Sequence, residues 1–357
     1  MSAPRIEIEL AKLSCNATKI MTLCRAKGIR LTAVTKAVCG SPQIAKTFLD
    51  SGISSLGDSY IANIQNMRES GIKAEYILLR SPMPSNIQQV VEFADISLNT
   101  ELSIIRRLGE CAAQRGKTHS IILMVELGDL REGILPAEIK ATVKETLNIR
   151  GINLAGIGAN LACFGGIKPT EQNMQELSDL AEDIQRAHGI PLEFVSGGNS
   201  ANYQWLNSTK TTGRINHLRI GESILLGYDT TTHQPIPQLY THAFTLVAEV
   251  IEIKTKPSKP YGEPGRDAFG SVPAFEDQGT MRRAILAIGR QDVDLPSIKP
   301  RADMQILGAS SDHLLLNAKN IDLNVGDEVQ FDLQYGALLK AMVSPYVEKK
   351  YLPPMLY

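Results

Sequence analysis

At 357 residues, the chain is long enough for two domains or for one barrel with an appendage. Hydrophobic residues make up 43% and charged residues 21%, the balance of an ordinary globular protein, and a formal net charge of -1 gives no electrostatic case for nucleic acid or an anionic membrane. No apolar run reaches membrane-spanning length, and Arg5, Glu7 and Glu9 stand where a secretory signal needs an apolar core; five scattered cysteines without a C-x-x-C pair then read as free thiols of a reducing cytoplasm.

Taken in order, Arg5 to Leu10 alternate as a half-exposed strand does, and Ala11 to Ala26 has helical spacing that Gly28 stops. An apolar, β-branched run from Leu31 closes on Lys36, and Pro42 opens a helix that ends near Gly52. A rhythm follows in which short apolar runs end in polar residues and helix-like stretches come after each. The runs end at Asp58, Arg80, Asn99, Glu126, Asn160, Ser196 and Arg219. With the Lys36 strand these make eight β-α units, which predicts an α/β fold, a (β/α)8 TIM barrel with its active site at the C-terminal strand ends. After Pro235 and Pro237 the pattern changes to short β-rich runs: 244–253, 284–288, 304–307, 313–316 and 328–333. We therefore expect a barrel over residues 1–235 and a C-terminal all-β domain over 236–357, with residues 5–10 as a strand available to pair with the latter. Residues 257–279 form a Pro/Gly-rich loop too long for a mere connection.

The chemistry gathers at the strand ends. A lysine in a partly dry cleft has a nucleophilic amine suited to a Schiff base with a carbonyl compound, although Lys36 also fits a lysine that snorkels to water. Barrel strand seven ends in Ser196-Gly197-Gly198-Asn199-Ser200, where two glycines let backbone N–H groups approach an anion and Asn199 or Ser200 caps the next helix. Strand eight ends in Arg219-Ile220-Gly221-Glu222, and these two loops are the usual phosphate site of such a barrel. Arg219 would keep a facing pyridine nitrogen unprotonated; the plain alternative is an arginine paired with Asp58 or Glu126. Arg131, on the loop after strand five, reads by default as a surface arginine, and His119, His188 and His233 lack metal-ligand spacing and read as surface or loop residues. The charge run Glu348-Lys349-Lys350 reads as a solvated face.

Val34-Thr35-Lys36, Arg131 between glycines, Asn199-Ser200, Arg219-Ile220-Gly221 and the 308–313 loop together resemble the alanine racemase family, pyridoxal phosphate enzymes of fold-type III. Longer stretches, 34–40, 124–133, 160–169, 196–202, 216–227 and 284–292, are most similar to its ornithine racemase branch. The resemblance implies a two-base racemase with pyridoxal 5'-phosphate as cofactor, a head-to-tail homodimer, and an amino acid as substrate. Lys36 would carry the cofactor and serve one face of the substrate Cα; Tyr261 of a neighbouring subunit would serve the other. Arg131, Asn160, Ser196, Gly198, Asn199, Ser200, Arg219, Gly221, Glu222 and Tyr346 would hold the cofactor, and Arg131, Ser311 and Asp312 the substrate.

Three positions depart from the alanine racemases. Gly40 replaces a tyrosine, Asn160 a histidine, and Tyr346 is out of register with a phosphate-binding tyrosine. The loss at Gly40 is expected to make room for a longer side chain such as that of ornithine, whose terminal ammonium would need a carboxylate from among Glu263, Asp267, Asp292 and Asp312. The rival readings are a racemase of alanine, lysine, serine or broad range; a decarboxylase of the same fold type, which Arg219 disfavours; and a non-catalytic pyridoxal phosphate carrier.

Overall fold

The computed structural model describes residues 3–272 and 274–352. The chain forms two units, one of residues 11–241 and one in which residues 1–10 join 242–357. After β1 (Arg5–Glu9) come the barrel strands β2 (Arg30–Val34), β3 (Ser55–Asp58), β4 (Glu75–Leu78), β5 (Ile96–Asn99), β6 (His119–Val125), β7 (Ile152–Ala159), β8 (Phe194–Ser196) and β9 (His217–Ile220). All eight pair in parallel in sequence order, and β9 returns to β2 with Arg219 opposite Thr32, so the predicted barrel closes.

Ile77, Leu98, Ile122, Met124 and Phe194 belong to one buried core cluster contributed by strands β4, β5, β6 and β8. Packed barrel interiors of this kind come from branched and aromatic residues at alternate positions. The helices between strands have local causes. Helix Pro42–Asp50 starts with proline at its first position and Ser41 Oγ accepting from Ile44 N. Helix Glu171–His188 is bracketed by a Thr170–Asn173 capping box and by Gly189 at φ 64.

The second unit is a sheet of β10 (Phe244–Pro257), β11 (Thr280–Leu286), β12 (Ile298–Pro300), β13 (Gln305–Ala309), β14 (Leu314–Asn317) and β15 (Glu328–Leu333), joined by β1 and β16 (Glu348–Leu352). β1 lies antiparallel to β10 and parallel to β16. The run Glu348-Lys349-Lys350, expected as a solvated face, is therefore a strand. β16 pairs with β1 alone, and charge suits an edge; Lys350 Nζ reaches Glu7 at 3.2 Å. The β pattern also hid a nine-residue helix, Tyr335–Val343, which buries Ala337, Leu338, Ala341 and Met342. A second correction concerns His119. It is buried, not on the surface, because it opens β6 and its Nε2 meets Ser97 Oγ at 2.9 Å. Burial pushes its pKa down to about 4, so it is neutral.

Candidate active site at the C-terminal ends of the barrel strands

β2 stops at Val34, and Lys36 stands not at the strand end but at the start of a 3-10 turn, Lys36–Val38. The turn forms because the N–H groups of Val38 and Gly40 both donate to the Thr35 carbonyl, at 3.0 and 3.2 Å. Lys36 is half-buried, and no described residue pairs with its ammonium. Glu222 opens helix Glu222–Leu226 just after β9. Burial pushes its carboxyl up to about 7, against the downward pull of the Lys36 charge. The room expected at Gly40 is not there. Gly40 sits at φ 59, and a Cβ on it would lie 2.7 Å from Asn63 Cβ. The glycine marks a close approach between this turn and helix Ile61–Glu69, which occupies the space.

Arg219 is 4% exposed and pairs with neither Asp58 nor Glu126. Its Nη1 donates to Ser196 Oγ and its Nη2 to the Ala159 carbonyl, at 2.9 Å. Ser196 Oγ also bonds His217 Nδ1 (2.8 Å). His217 Nε2 bonds Thr32 Oγ1 (2.8 Å), and Thr32 Oγ1 bonds Ser55 Oγ (2.8 Å). Five buried side chains on four strands thus form one relay that fixes the guanidinium. Burial brings Arg219 down to about 10 and holds His217 far below its ordinary range, so the arginine is charged and the histidine neutral at pH 7. The two carboxylates are engaged elsewhere. Asp58 accepts from Thr35, Tyr60 and Asn63, and Glu126 Oε1 accepts from Gly128 N (2.6 Å) and Leu130 N (3.0 Å).

The loops after β6 and β7 are tied together by Asp129. Its buried carboxylate accepts from the N–H groups of Cys163, Phe164 and Ile167. Arg131 forks onto Glu132, Nη2 to Oε1 at 2.6 Å, and this bond raises its pKa above the ordinary arginine value. Asn160 Oδ1 accepts from Asn199 Nδ2 at 3.0 Å, which leaves Asn160 Nδ2 buried without an acceptor. Asn199 also accepts from Ala201 N (2.8 Å), capping the 3-10 turn Ser200–Asn202. Ser200 Oγ accepts from Gly221 N and Ser223 N, at 3.3 and 3.2 Å, so the loops after β8 and β9 meet at this hydroxyl, whose proton remains free to donate. Gly198, at φ 146, packs against the Asn202 side chain.

The remaining predicted residues lie in the second unit. Tyr261 is 92% exposed on the loop between β10 and β11, whose ends are held by Ser258 N to Gly279 O (2.8 Å). Ser311 and Asp312 are exposed on the turn between β13 and β14. This turn is held against Gly289–Gln291, since Arg290 N and Gln291 N donate to the carbonyls of Ser310 and Ser311, both at 2.9 Å. The Asp312 carboxylate is spent on Ser310, Ser311 and His313, and Asp267 caps its own loop at Phe269 and Ser271. Asp292 is buried and accepts from Ser344 Oγ at 2.7 Å; Tyr346 is 70% exposed. Two residues at the barrel site escaped the sequence reading. His217 was read only as part of a strand, and Asn63 is an ordinary helix position; the sole signal was a polar residue within an apolar barrel strand.

The donor set fits an anionic ligand such as a phosphate ester. An unpaired amine at Lys36, a buried guanidinium at Arg219, an orphaned amide donor at Asn160 and a serine proton at Ser200 sit on or beside the adjacent strands β7, β8, β9 and β2. Among the described residues no group of three His, Cys, Asp or Glu could hold a metal ion, and no helix is long and apolar enough to cross a membrane. The family profile "Alanine racemase, N-terminal domain" matches residues 8–229. The chain is 41% identical to an ornithine racemase of Acetoanaerobium sticklandii, covering 98% of this chain and 99% of the relative. It is 39% identical to a lysine racemase of Thermotoga maritima, with 99% of each covered. Among solved structures, alanine racemase of Clostridium difficile 630 superposes with a TM-score of 0.77 at 19% identity, covering 99% and 96% of the two chains. A D-threonine aldolase of Filomicrobium marinum superposes at 0.73 with 14% identity and 96% and 89% coverage, so this fold serves more than one chemistry. The profile over the barrel and the similarity over the whole length agree with the strand-end residues: this chain belongs to the alanine racemase family.

Proposed function

We propose that the protein is a pyridoxal 5'-phosphate-dependent racemase that interconverts L- and D-ornithine by two-base proton transfer at Cα. The observation that carries the substrate is the full-length similarity to an ornithine racemase. The lysine racemase relative makes lysine, one methylene longer, the second substrate to test. Bound at this site, the cofactor would supply an electron sink that acidifies the Cα proton. Lys36 would hold it through its amine and move the proton on one face. Tyr261 of a partner subunit, in a head-to-tail homodimer, would act on the other.

Arg219 would face the pyridine nitrogen. Its charge, kept at pH 7 by a pKa of about 10, disfavours protonation there and so limits how far negative charge spreads from Cα. That suits prompt return of the proton over loss of a side chain or carboxylate. Ser196, Gly198, Asn199, Ser200, Gly221 and Glu222, with Tyr346, would seat the cofactor. Asn160 would donate its unpaired amide proton to it, and Arg131 would meet its phenolic oxygen or the substrate carboxylate. The backbone at Ser311 and Asp312 would receive the carboxylate. Six apolar side chains exposed on the loops after β3, β4, β6 and β7, namely Tyr60, Met83, Leu130, Leu135, Phe164 and Ile167, support a second copy covering the barrel mouth. Free, exposed Cys15 and Cys163 support a reducing, cytoplasmic setting.

The test is Cα hydrogen exchange in heavy water, followed by NMR over a panel of L-amino acids with added cofactor, with chiral analysis of the product. Fastest exchange on ornithine, lost in Lys36→Ala, is the expected result. Fastest exchange on another amino acid replaces the substrate. Bound cofactor with no exchange on any substrate overturns the racemase in favour of a carrier.

A further inference from the structure

Lys36 is carried by an unusual piece of backbone. After the turn Lys36–Val38 come two consecutive left-handed residues, Cys39 at φ 53 and Gly40 at φ 59. Cys39 has a Cβ and pays a steric cost there, so something outside the turn must over-determine it. Within the turn, Val38 N and Gly40 N return to the Thr35 carbonyl, and Cys39 N returns to Lys36 O at 3.3 Å. Ala37 and Val38 are buried, and two of the turn's backbone bonds thus end on Thr35. That residue is fixed to β3 twice, by its N–H to the Gly57 carbonyl (2.9 Å) and by its Oγ1 proton to Asp58 Oδ2 (2.7 Å). Gly57 O lies farther from the hydroxyl, at 3.3 Å, so the carboxylate takes the proton.

Asp58 is 0% exposed, at the end of β3. Its other oxygen accepts from Tyr60 N (2.9 Å) and from Asn63 Nδ2 (3.0 Å). Asn63 is also the residue whose Cβ faces Gly40 at the far end of the turn. One buried carboxylate thus reaches the start of the turn through Thr35 and its end through Asn63. Every partner named is a donor, which is the pattern of an ionised group. Burial pushes its pKa up, and the bonds from Tyr60, Thr35 and Asn63 pull it back.

We propose that Asp58 is a positioning residue for Lys36, holding the lysine's turn in register with the barrel through Thr35 and Asn63. The proposal rests on the reading of Lys36 as the cofactor-bearing base. An amine that must address both a carbonyl carbon and one face of Cα tolerates little displacement, and a misplacement of about 1 Å can cost roughly a hundredfold in rate. Asp58 touches neither cofactor nor substrate in this role; it acts by fixing where the amine starts.

The decisive variant is Thr35→Val, which keeps shape and removes only the donor. It is compared with Thr35→Ser, which restores the donor, and with Asp58→Asn. Each holoenzyme is assayed for kcat and KM on ornithine, for cofactor affinity from the visible absorbance of the bound cofactor, and for cooperative unfolding. We expect Thr35→Val and Asp58→Asn to lose about tenfold or more in kcat and in cofactor affinity, with KM changed by less than about threefold, and Thr35→Ser to recover to within about threefold of wild type. A folded Thr35→Val within about twofold of wild type in both kcat and cofactor affinity overturns the positioning role alone. A wild-type protein that binds no cofactor overturns the reading of Lys36, and this proposal with it.

Discussion

Ser196→Ala cuts the relay behind Arg219 at its middle. The substitution removes one oxygen and strands two buried groups, Nη1 of Arg219 and Nδ1 of His217, whose residues are 4% and 0% exposed. A buried polar group left without a partner costs about 1–3 kcal/mol, with charged groups at the upper end. The space left by a hydroxyl is smaller than a water's share of about 30 Å3, so solvent does not restore the lost bonds. The two terms together predict a loss of about 2–6 kcal/mol in unfolding free energy, read by urea denaturation of the cofactor-free protein. The exposed Ser208→Ala, which loses bonds from Oγ to the carbonyls of Gln204 (2.9 Å) and Trp205 (3.3 Å), should stay within about 0.5 kcal/mol of wild type. A cycle with His217→Phe should show coupling of about 1 kcal/mol or more, because the stranded histidine is then gone. If Ser196→Ala matches Ser208→Ala, the serine is not a strut between Arg219 and His217, and the relay reasoning fails.

Gly40→Ala should destabilise by about 1–3 kcal/mol in thermal or chemical melts, since it adds a Cβ 2.7 Å from Asn63 Cβ at φ 59; a neutral result would mean the turn can move away. Phe194→Ala, in the barrel core, should cost about 3–5 kcal/mol by the same assay through the cavity it leaves. The pH dependence of stability has a stated sign for the buried histidines: their folded pKa values lie below the unfolded one, so the unfolded chain takes up the proton first and stability falls as pH drops through about 6.5, by at most about 1.4 kcal/mol per unit for each. Glu222 and Asp58, pushed upward by burial, act in the opposite sense, so the contribution is read as the flattening between pH 7 and 5 in His119→Gln relative to wild type, and an unchanged slope would refute it.

The barrel was legible because each of its strands is a short apolar run closed by a polar residue, a pattern that repeats at the spacing of a β-α unit. Lys36, Arg219 and Ser200 were legible for the same reason, as reactive or hydrogen-bonding types at strand ends. The supports beneath them were not. His217 and Thr32 are 185 positions apart and meet only because β9 closes onto β2. Asp58 looked like a partner for Arg219, yet its donors are Thr35, just past the neighbouring strand, Tyr60 and Asn63. Gly40 looked like a vacancy, because absence of a side chain in a sequence does not say which neighbour has moved in; here it is Asn63. β16 was hidden because an edge strand may carry charge on most positions, and its single pairing with β1 joins the two ends of the chain.

That pairing constrains synthesis. β1 is made before either of its partners, Phe244–Val247 on one side and Glu348–Leu352 on the other. At about 5–20 residues per second, the N-terminal strand leaves the ribosome tens of seconds before the last partner exists. Until residues 244–247 are made β1 has neither partner, and its N–H and C=O groups are open to water. The sheet of the second unit therefore becomes complete only after the barrel between its strands has been made, and a chain released before residue 348 lacks the strand that flanks β1 on one side.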